Sequence, residues 1–409
     1  MEAIVERCAG LDVHQASVVA CVLLGRPGCK PHKEIRTFAT LTRALEALRD
    51  WLKEVGVTHV GMESTGVYWK PVYYILEDGF TLLLVNVQHL KLVPGRKSDV
   101  RDSEWIAQLL EWGLLQSSLV PPAPIRDLRD LTRYRKHQSQ DRAREVNRLH
   151  RVLEDAGIKL STVATDVMGV SGRAMLDALL QGTTDPEVLA NLARGKLRKK
   201  LPALRQALLG RFRAHHGFLI GQILAKIDFL DEVIDQLTQE IDRLVIPFEP
   251  MLAQLDTIPG VDRKGAITIL AETGGDMSHF PTPGHLCSWA AVCPGQNQSA
   301  GKRRSGKTRK GNRYLRTLAI ESGLAAARAK DTSLQSRYSR VKRNRGHKKA
   351  VLAVGHQILE IAYFVMRDGI PYHELGRDYF DRQHRQRALR RHVRQLEALG
   401  YRVTLEPAA

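Results

Sequence analysis

The stretch Ala9-Gly10-Leu11-Asp12-Val13-His14, followed by the apolar run Ser17 to Leu24, reads as two strands of a hairpin. A carboxylate, Asp12, stands at the end of the first strand. The arrangement recurs further along. Val57-Thr58-His59-Val60-Gly61-Met62 is a short apolar strand with Glu63 at its end. Gly66 then opens a helical pattern, Val67 to Glu77, through Tyr68, Val72, Ile75 and Leu76. A helix from Leu41 to Val55 precedes that strand, and a buried strand at Phe80 to Val87 follows its helix. A basic loop, Lys91 to Ser98, leads into a predicted helix from Val100 to Leu110. Asp99 and Asp102 lie three apart at its start, so both project from one face. Strand and helix signals alternate over residues 1–120, which predicts an α/β domain. Pro121, Pro122 and Pro124 close it and read as a linker.

An RNase H-like sheet with a helix packed on it would gather these four acids. Hard cations such as Mg²⁺ (or Mn²⁺) take such all-oxygen sites. Two metals about 3.5–4 Å apart clamp the attacking and leaving oxygens of a phosphodiester. Each acid also has a purely structural reading. Asp12 would tie down a hairpin, and Glu63 would face solvent at a strand end. Asp99 would cap the helix, with Asp102 complementing its dipole. The ordered placement at the ends of the right elements favours the metal site.

Length and charge bound the rest. The 409 residues leave room for two or three domains with adequate cores. Sixty-two basic against 44 acidic residues give a net charge of +18 and a pI near 9.8, which points to a polyanionic partner. The excess is concentrated from Ser299 to Lys349, where 17 Lys and Arg face only Glu321 and Asp331. Apolar spacing at Tyr314, Leu315, Leu318, Ile320 and Leu324 makes this a folded basic surface. The five cysteines (Cys8, Cys21, Cys29, Cys287 and Cys293) form no CxxC pair, so reduced thiols are expected. The N-terminus lacks signal-peptide regions and no apolar run reaches eighteen residues, which predicts a cytoplasmic protein without a membrane span.

Beyond the prolines the pattern is helical. Residues 126–155 are rich in Arg and carry an apolar stripe, and residues 160–216 are irregular. Residues 126–250 then hold a heptad. Ile220, Ile227, Ile234 and Ile241 fill one set of positions, and Ile223, Leu230, Leu237 and Leu244 the other. Ile at a with Leu mostly at d favours a two-stranded parallel coiled coil between chains. An antiparallel hairpin with the 126–155 helix would bury the same stripe within one chain. Pro247 and Pro250 end the helix.

A third region spans residues 251–376. Ile258-Pro259-Gly260-Val261-Asp262 reads as the turn of a helix-hairpin-helix element, in which backbone N–H groups near Gly260 would hold a phosphate. A plain helix-turn-helix packing unit fits as well. Pro294 to Lys307 places Ser299 among glycines and small residues. Lys302, Arg303, Arg304, Lys307, Arg309, Lys310, Arg313 and Arg316 follow, as candidate nucleic-acid contacts. Ser299 would be a nucleophile in a field of cations, or simply part of a phosphate-contacting turn. Residues 377–409 form a basic tail helix with an apolar line at Leu389, Val393, Leu396 and Leu399. It would either contact nucleic acid or dock on the fold.

Together these motifs are similar to the bacterial insertion-sequence transposases with a RuvC-like DEDD domain and a C-terminal serine domain, the IS one-ten family. The resemblance rests on Asp12, Glu63, Asp99-x-x-Asp102, Ile258-Pro259-Gly260-Val261, Ser299-Ala300-Gly301-Lys302 and Lys310-Gly311-Asn312-Arg313-Tyr314-Leu315-Arg316, and covers roughly residues 8–375. It implies a fold of an RNase H/RuvC-like domain, a long helical coiled-coil middle and a helical C-terminal transposase domain. It implies a recombinase in which Asp12, Glu63, Asp99 and Asp102 hold Mg²⁺ and Ser299 becomes covalently linked to DNA. The implied partners are donor and target DNA, an element-encoded noncoding bridge RNA, and further copies of the chain as a homodimer, with a tetramer for synapsis. The implied location is the bacterial nucleoid. Two rival readings remain. A metal-dependent junction-resolvase-like nuclease would use water as nucleophile, and a non-catalytic nucleic-acid-binding protein would use the acids only structurally.

Overall fold

A computed structural model describes residues 4–25, 31–64, 66–86, 102–295 and 297–404. At residues 297–299, 303–305, 381, 384 and 386–388 the description is of the backbone alone. The chain divides into two units, Met1–Val120 and Pro121–Ala409.

The first unit is a five-stranded mixed sheet with helices. Its strands are β1 (Arg7–Val13), β2 (Ser17–Leu24), β3 (His32–Ala39), β4 (His59–Glu63) and β5 (Thr81–Val85), in the order β3-β2-β1-β4-β5. β1, β2 and β3 are antiparallel, whereas β4 runs parallel to both β1 and β5. This is the RNase H-like arrangement. Helices α1 (Thr42–Glu54) and α2 (Trp69–Leu76) cover one face. Side chains alternate along a strand, so Ala9, Leu11, Val13, Val60 and Met62 meet Leu45, Leu48, Trp51 and Leu76 there. The other face carries α3, described from Asp102 to Glu111, over Cys8, Cys21 and Leu23. Asp99, expected at the start of this helix, lies outside the described residues.

Two glycines let α3 lie this close. Gly10 and Gly61 are paired across β1 and β4. A Cβ on Gly10 would stand 2.1 Å from the Ser103 carbonyl oxygen and 2.4 Å from the Ala107 nitrogen, and one on Gly61 would stand 3.0 Å from Ile106. Both obstacles at Gly10 are backbone. Gly10→Ala is therefore expected to cost on the order of 3 kcal/mol and to lower Tm by roughly 10 °C, because α3 must lift. An unchanged melting curve would show that the helix does not need this contact.

β3 is absent from the pattern-based reading. His32-Lys33-Glu34-Ile35-Arg36 is mostly charged and lies at the sheet edge, with Ile35 47% exposed. Edge strands carry charge to discourage further pairing, so the period-2 apolar signal is missing. Phe38 still packs on Trp51, with ring centroids 5.6 Å apart, and the Arg36 guanidinium sits 4.6 Å from the Trp51 ring centroid.

The second unit is mainly helical. The prolines begin it. Pro122 is the N-cap of α4 (Ala123–Asp155) and Pro124 lies in its first turn, where the missing N–H costs nothing. Helices α5 (Leu160–Val163), α6 (Val170–Leu180), α7 (Pro186–Asn191) and α8 (Leu201–Ala207) form a small bundle with its own apolar core. α9 (Ala214–Leu244) then returns along α4. The pairs run antiparallel. Arg142 Nη2 donates to Asp231 (3.0 Å), Lys226 meets Glu145 (2.6 Å), and His216 Nε2 lies 3.0 Å from Asp155.

The heptad stripe thus lies along α4 of the same chain, the antiparallel arrangement within one chain. Ile220, Leu224, Ile227, Leu230 and Ile241 are buried, while Ile223, Ile234, Leu237 and Leu244 are half-buried. A seven-residue repeat specifies a stripe but not which helix covers it. The match between a 33-residue and a 31-residue helix and the buried Glu145 decide it.

The remaining helices are α10 (Glu249–Asp256), α11 (Arg263–Thr273), α12 (Pro283–Trp289), α13 (Arg313–Ala326), α14 (Ser333–Arg345), α15 (His347–Asp368) and α16 (Tyr379–Ala398), with a hairpin of β6 (Asn297–Ser299) and β7 (Lys302–Ser305) before α13. α15 is long and apolar enough by composition to cross a membrane, but 56% of its apolar window is buried inside the fold. It packs on α13 through two glycines. A Cβ on Gly355 would stand 2.2 Å from the Ala319 carbonyl oxygen, and one on Gly323 would stand 2.6 Å from that of Val351. α16 leaves Leu389 and Leu396 exposed and Val393 half-buried, with Leu399 exposed just beyond its end.

Candidate active site

Strand register brings the first unit's acids together. Leu11 pairs with Met62 in the parallel β1–β4 ladder, so Asp12 and Glu63 occupy the next rung. Both share the face of Gly10 and Gly61, the face covered by α3, because each lies two residues beyond its glycine. α3 begins there. Ser103 touches Gly10, and Asp102 precedes it as an acid in the first turn. All three carboxylates are half-buried. Asp12 accepts His14 Nε2 at 3.1 Å. The second acid of that first turn, Glu104, is buried and paired with Lys33 at 3.0 Å, so it serves the sheet. Below the acids the thiols are inert. Burial pushes Cys8 up to about 12 and Cys21 up to about 11.

The donor set fits a hard divalent cation, being all oxygen and open to solvent on one side. The ligand atoms of Asp12, Glu63 and Asp102 are not, however, all within 4.8 Å of one another. Among the described residues the trio that meets this distance is Asp155, His215 and His216. That trio is a helix-end link. His216 Nδ1 accepts the Arg213 N–H (3.1 Å), which leaves Nε2 to donate to Asp155.

In the second unit the Ser299 region is a β-hairpin. Ser299 pairs with Lys302, and the two residues between them, Ala300 (φ 48°) and Gly301 (φ 73°), both take positive φ. That is the signature of a type I′ turn, whose twist matches paired strands. An alanine in this region is strained, typically by 1–3 kcal/mol, and such strain gathers at functional sites. The hairpin's legs are clamped where Gly295 meets the Lys307 carbonyl oxygen, 2.1 Å from where a Cβ would stand. The side chain of Ser299 lies outside the described atoms, as do those of Arg303 and Arg304.

A buried acid that the pattern gave no hint of anchors this region. Glu272 is 1% exposed. It accepts two hydrogen bonds from Arg133 (2.8 and 2.7 Å) and one from Asn312 Nδ2 (2.6 Å). Asn312 in turn caps α13, accepting from the N–H groups of Tyr314 and Leu315. Burial opposes the charge of Arg133, but the bonds to Glu272 outweigh it and raise its pKa. Arg129, which donates to the Ala271 and Glu272 carbonyls, is pushed down to about 10 by burial.

The expected nucleic-acid contacts divide. Lys302, Lys307, Arg309 and Lys310 are exposed, and Arg316 is half-buried. Arg313 is engaged within the fold, bonded to His137 (3.0 Å) and Tyr314 (2.8 Å). At Gly260 (φ 89°) a Cβ would stand 2.4 Å from the Ser322 carbonyl oxygen, so the close approach of α13 explains this glycine.

Residues 9–158 match a family model described as a transposase of the DEDD type, and residues 252–339 match one described as the transposase of the IS116/IS110/IS902 family. Two insertion-element proteins are similar to the chain. One, from Streptomyces coelicolor, is described as the insertion element IS110 uncharacterized 43.6 kDa protein and is 32% identical over 126 residues. That match covers 30% of each chain. The other, from Mycobacterium paratuberculosis, is described as the insertion element IS900 uncharacterized 42 kDa protein. It is 28% identical over 335 residues, covering 71% of this chain and 80% of the relative.

Proposed function

The chain belongs to the IS110 family of transposases, which act on DNA, and on that premise we propose that it cuts and rejoins DNA through a serine-linked intermediate. The observation that carries this reading is the shared rung of Asp12 and Glu63 beneath the first turn of α3, which brings Asp102. With Asp99, these acids would hold Mg²⁺ or Mn²⁺. When bound, the metal would polarise the scissile phosphate and stabilise charge on its oxygens. Ser299 Oγ would form a bond to phosphorus as the bond to the 3′ oxygen breaks. The hydroxyl proton would pass to solvent, and the departing 3′ oxygen would take one up. The phosphoserine keeps the bond energy of the cut strand, so the reverse attack by a 3′ hydroxyl reseals DNA without ATP. Exposed Lys302, Lys307, Arg309 and Lys310 would grip phosphates, and base pairing to a bridge RNA would choose the sequence. The partners would be donor and target DNA on the nucleoid, that RNA, and further copies of the chain as a homodimer, with a tetramer for synapsis.

The test incubates the protein, purified with its co-purifying RNA, with DNA carrying its element's ends. Strand cleavage is expected with Mg²⁺ and is lost on chelation. Asp12→Asn and Asp102→Asn are each expected to lower it at least 1,000-fold without altering circular dichroism. Unchanged cleavage in both variants would make the acids structural and overturn the reading.

A further inference from the structure

A cleft of about 860 Å³ opens at the foot of the Ser299 hairpin, between its legs and helices α14 and α15. Its floor is apolar, built from buried Val292 and half-buried Leu352 and Ala353, with Pro294 at one side. Its rim is cationic, carrying Lys307, Arg337, Arg345 and Lys349. Among the described residues, no ion pair within 4.0 Å involves Arg337, Arg345 or Lys349. The Arg337 Nε is buried without a hydrogen-bond partner. The acid in the field of Arg337, Glu360, is already paired with His356 at 3.4 Å. The turn between α14 and α15 adds to the rim. Residues 342–349 are all exposed and include Lys342, Arg343, Arg345, Lys348 and Lys349 with no acid.

We infer that this cleft holds a single-stranded segment of polynucleotide, with phosphates on the Arg345–Lys349 rim and an unstacked base against the Leu352 and Ala353 floor. Charge complementarity favours a polyanion, since the charges of Arg345 and Lys349 on one rim repel one another until one arrives. The apolar floor selects a single strand. A duplex presents only phosphates and sugars at such a surface, whereas a separated strand offers base faces to bury. Val292, Leu352 and Ala353 are aliphatic and offer a base no hydrogen bond, so burial against this floor does not itself select a sequence. The cleft begins at Pro294 and Lys307, where the hairpin's legs are clamped. A strand opened beside Ser299 would therefore have a place to go. This inference rests on the proposed reading of the chain as acting on DNA.

The test measures fluorescence anisotropy of labelled 20-mers of deoxythymidine and of uridine, and of a duplex, over a salt series with the full chain. The Arg345→Gln/Lys349→Gln double variant is expected to bind both single strands at least 10-fold more weakly. Its log–log salt slope should fall by about 1.4, since each phosphate contact on a single strand contributes about 0.7. Duplex affinity should change less than 3-fold. Leu352→Glu should weaken single strands alone. Lys196→Gln/Lys199→Gln, on the exposed segment before α8, should change nothing, and circular dichroism checks folding of each variant. A preference between the two single strands identifies the guest as DNA or RNA, and either supports the inference. Equal losses on duplex and single strand, or none on either, overturn it. Binding is read without cleavage. A protein that never cuts DNA would sink the serine chemistry and leave this cleft standing, and unchanged binding would do the reverse.

Discussion

Ser299→Ala protein is expected to form no covalent adduct with DNA and to lose rejoining activity at least 1,000-fold, while Ser305→Ala should still form the adduct and at most bind less well. The asymmetry follows from the hairpin. Ser299 sits at the corner of a tight turn, on the residue before two positive-φ positions, whereas Ser305 ends the returning strand. If Ser299 is the attacking hydroxyl, removing it removes the covalent route. Denaturing electrophoresis of protein with end-labelled DNA reads the result directly. If Ser299→Ala protein nicks DNA in Mg²⁺ as fast as the parent, water is the nucleophile and the chain works as a nuclease. The acids on β1, β4 and α3 would serve that chemistry equally well, so the serine variant separates the two readings.

The second large effect is structural. Glu272→Ala strands the half-buried guanidinium of Arg133, and it removes the acceptor that orients Asn312. Breaking a buried ion pair from one side costs about 3–5 kcal/mol. In a domain of this size that lowers Tm by roughly 10 °C. Glu272→Gln keeps the acceptor oxygen and loses less. Because Asn312 caps α13 directly after the basic loop, DNA binding should weaken along with stability. Calorimetry that finds Glu272→Ala within about 2 °C of the parent would show that the network is dispensable.

The first unit was largely legible from sequence because its central strands are buried on both faces and read as short apolar runs, with acids punctuating their ends. Asp12 and Glu63 were placed on the correct elements by pattern alone. Their adjacency needed the parallel register, which no spacing of 51 residues can give. The solvent-facing β3 escaped because His32 to Arg36 shows no alternation of apolar and polar residues. In the second unit the heptad revealed a stripe but left its cover open between a partner chain and the 126–155 helix, and α9 returns along α4 of its own chain. Nothing in Ala271-Glu272-Thr273 sets Glu272 apart from a surface acid. Only the convergence of Arg129 and Arg133 from a helix 139 residues away identifies it as buried. Gly260 was read as a phosphate turn. Its lack of a side chain is equally what the carbonyl of Ser322 requires.

The antiparallel α4–α9 pair behaves like a spar with a fitting at each end. Its Arg133 end is bolted to α11 and α13, and its Leu153 end carries the little bundle, about 30 Å away at 1.5 Å per residue. Adding or removing a matched turn or two in both arms would slide the far cargo outward or inward while leaving either attachment intact. Distance along this arm is a quantity that relatives can change by paired insertion, without redesigning what sits at its tips.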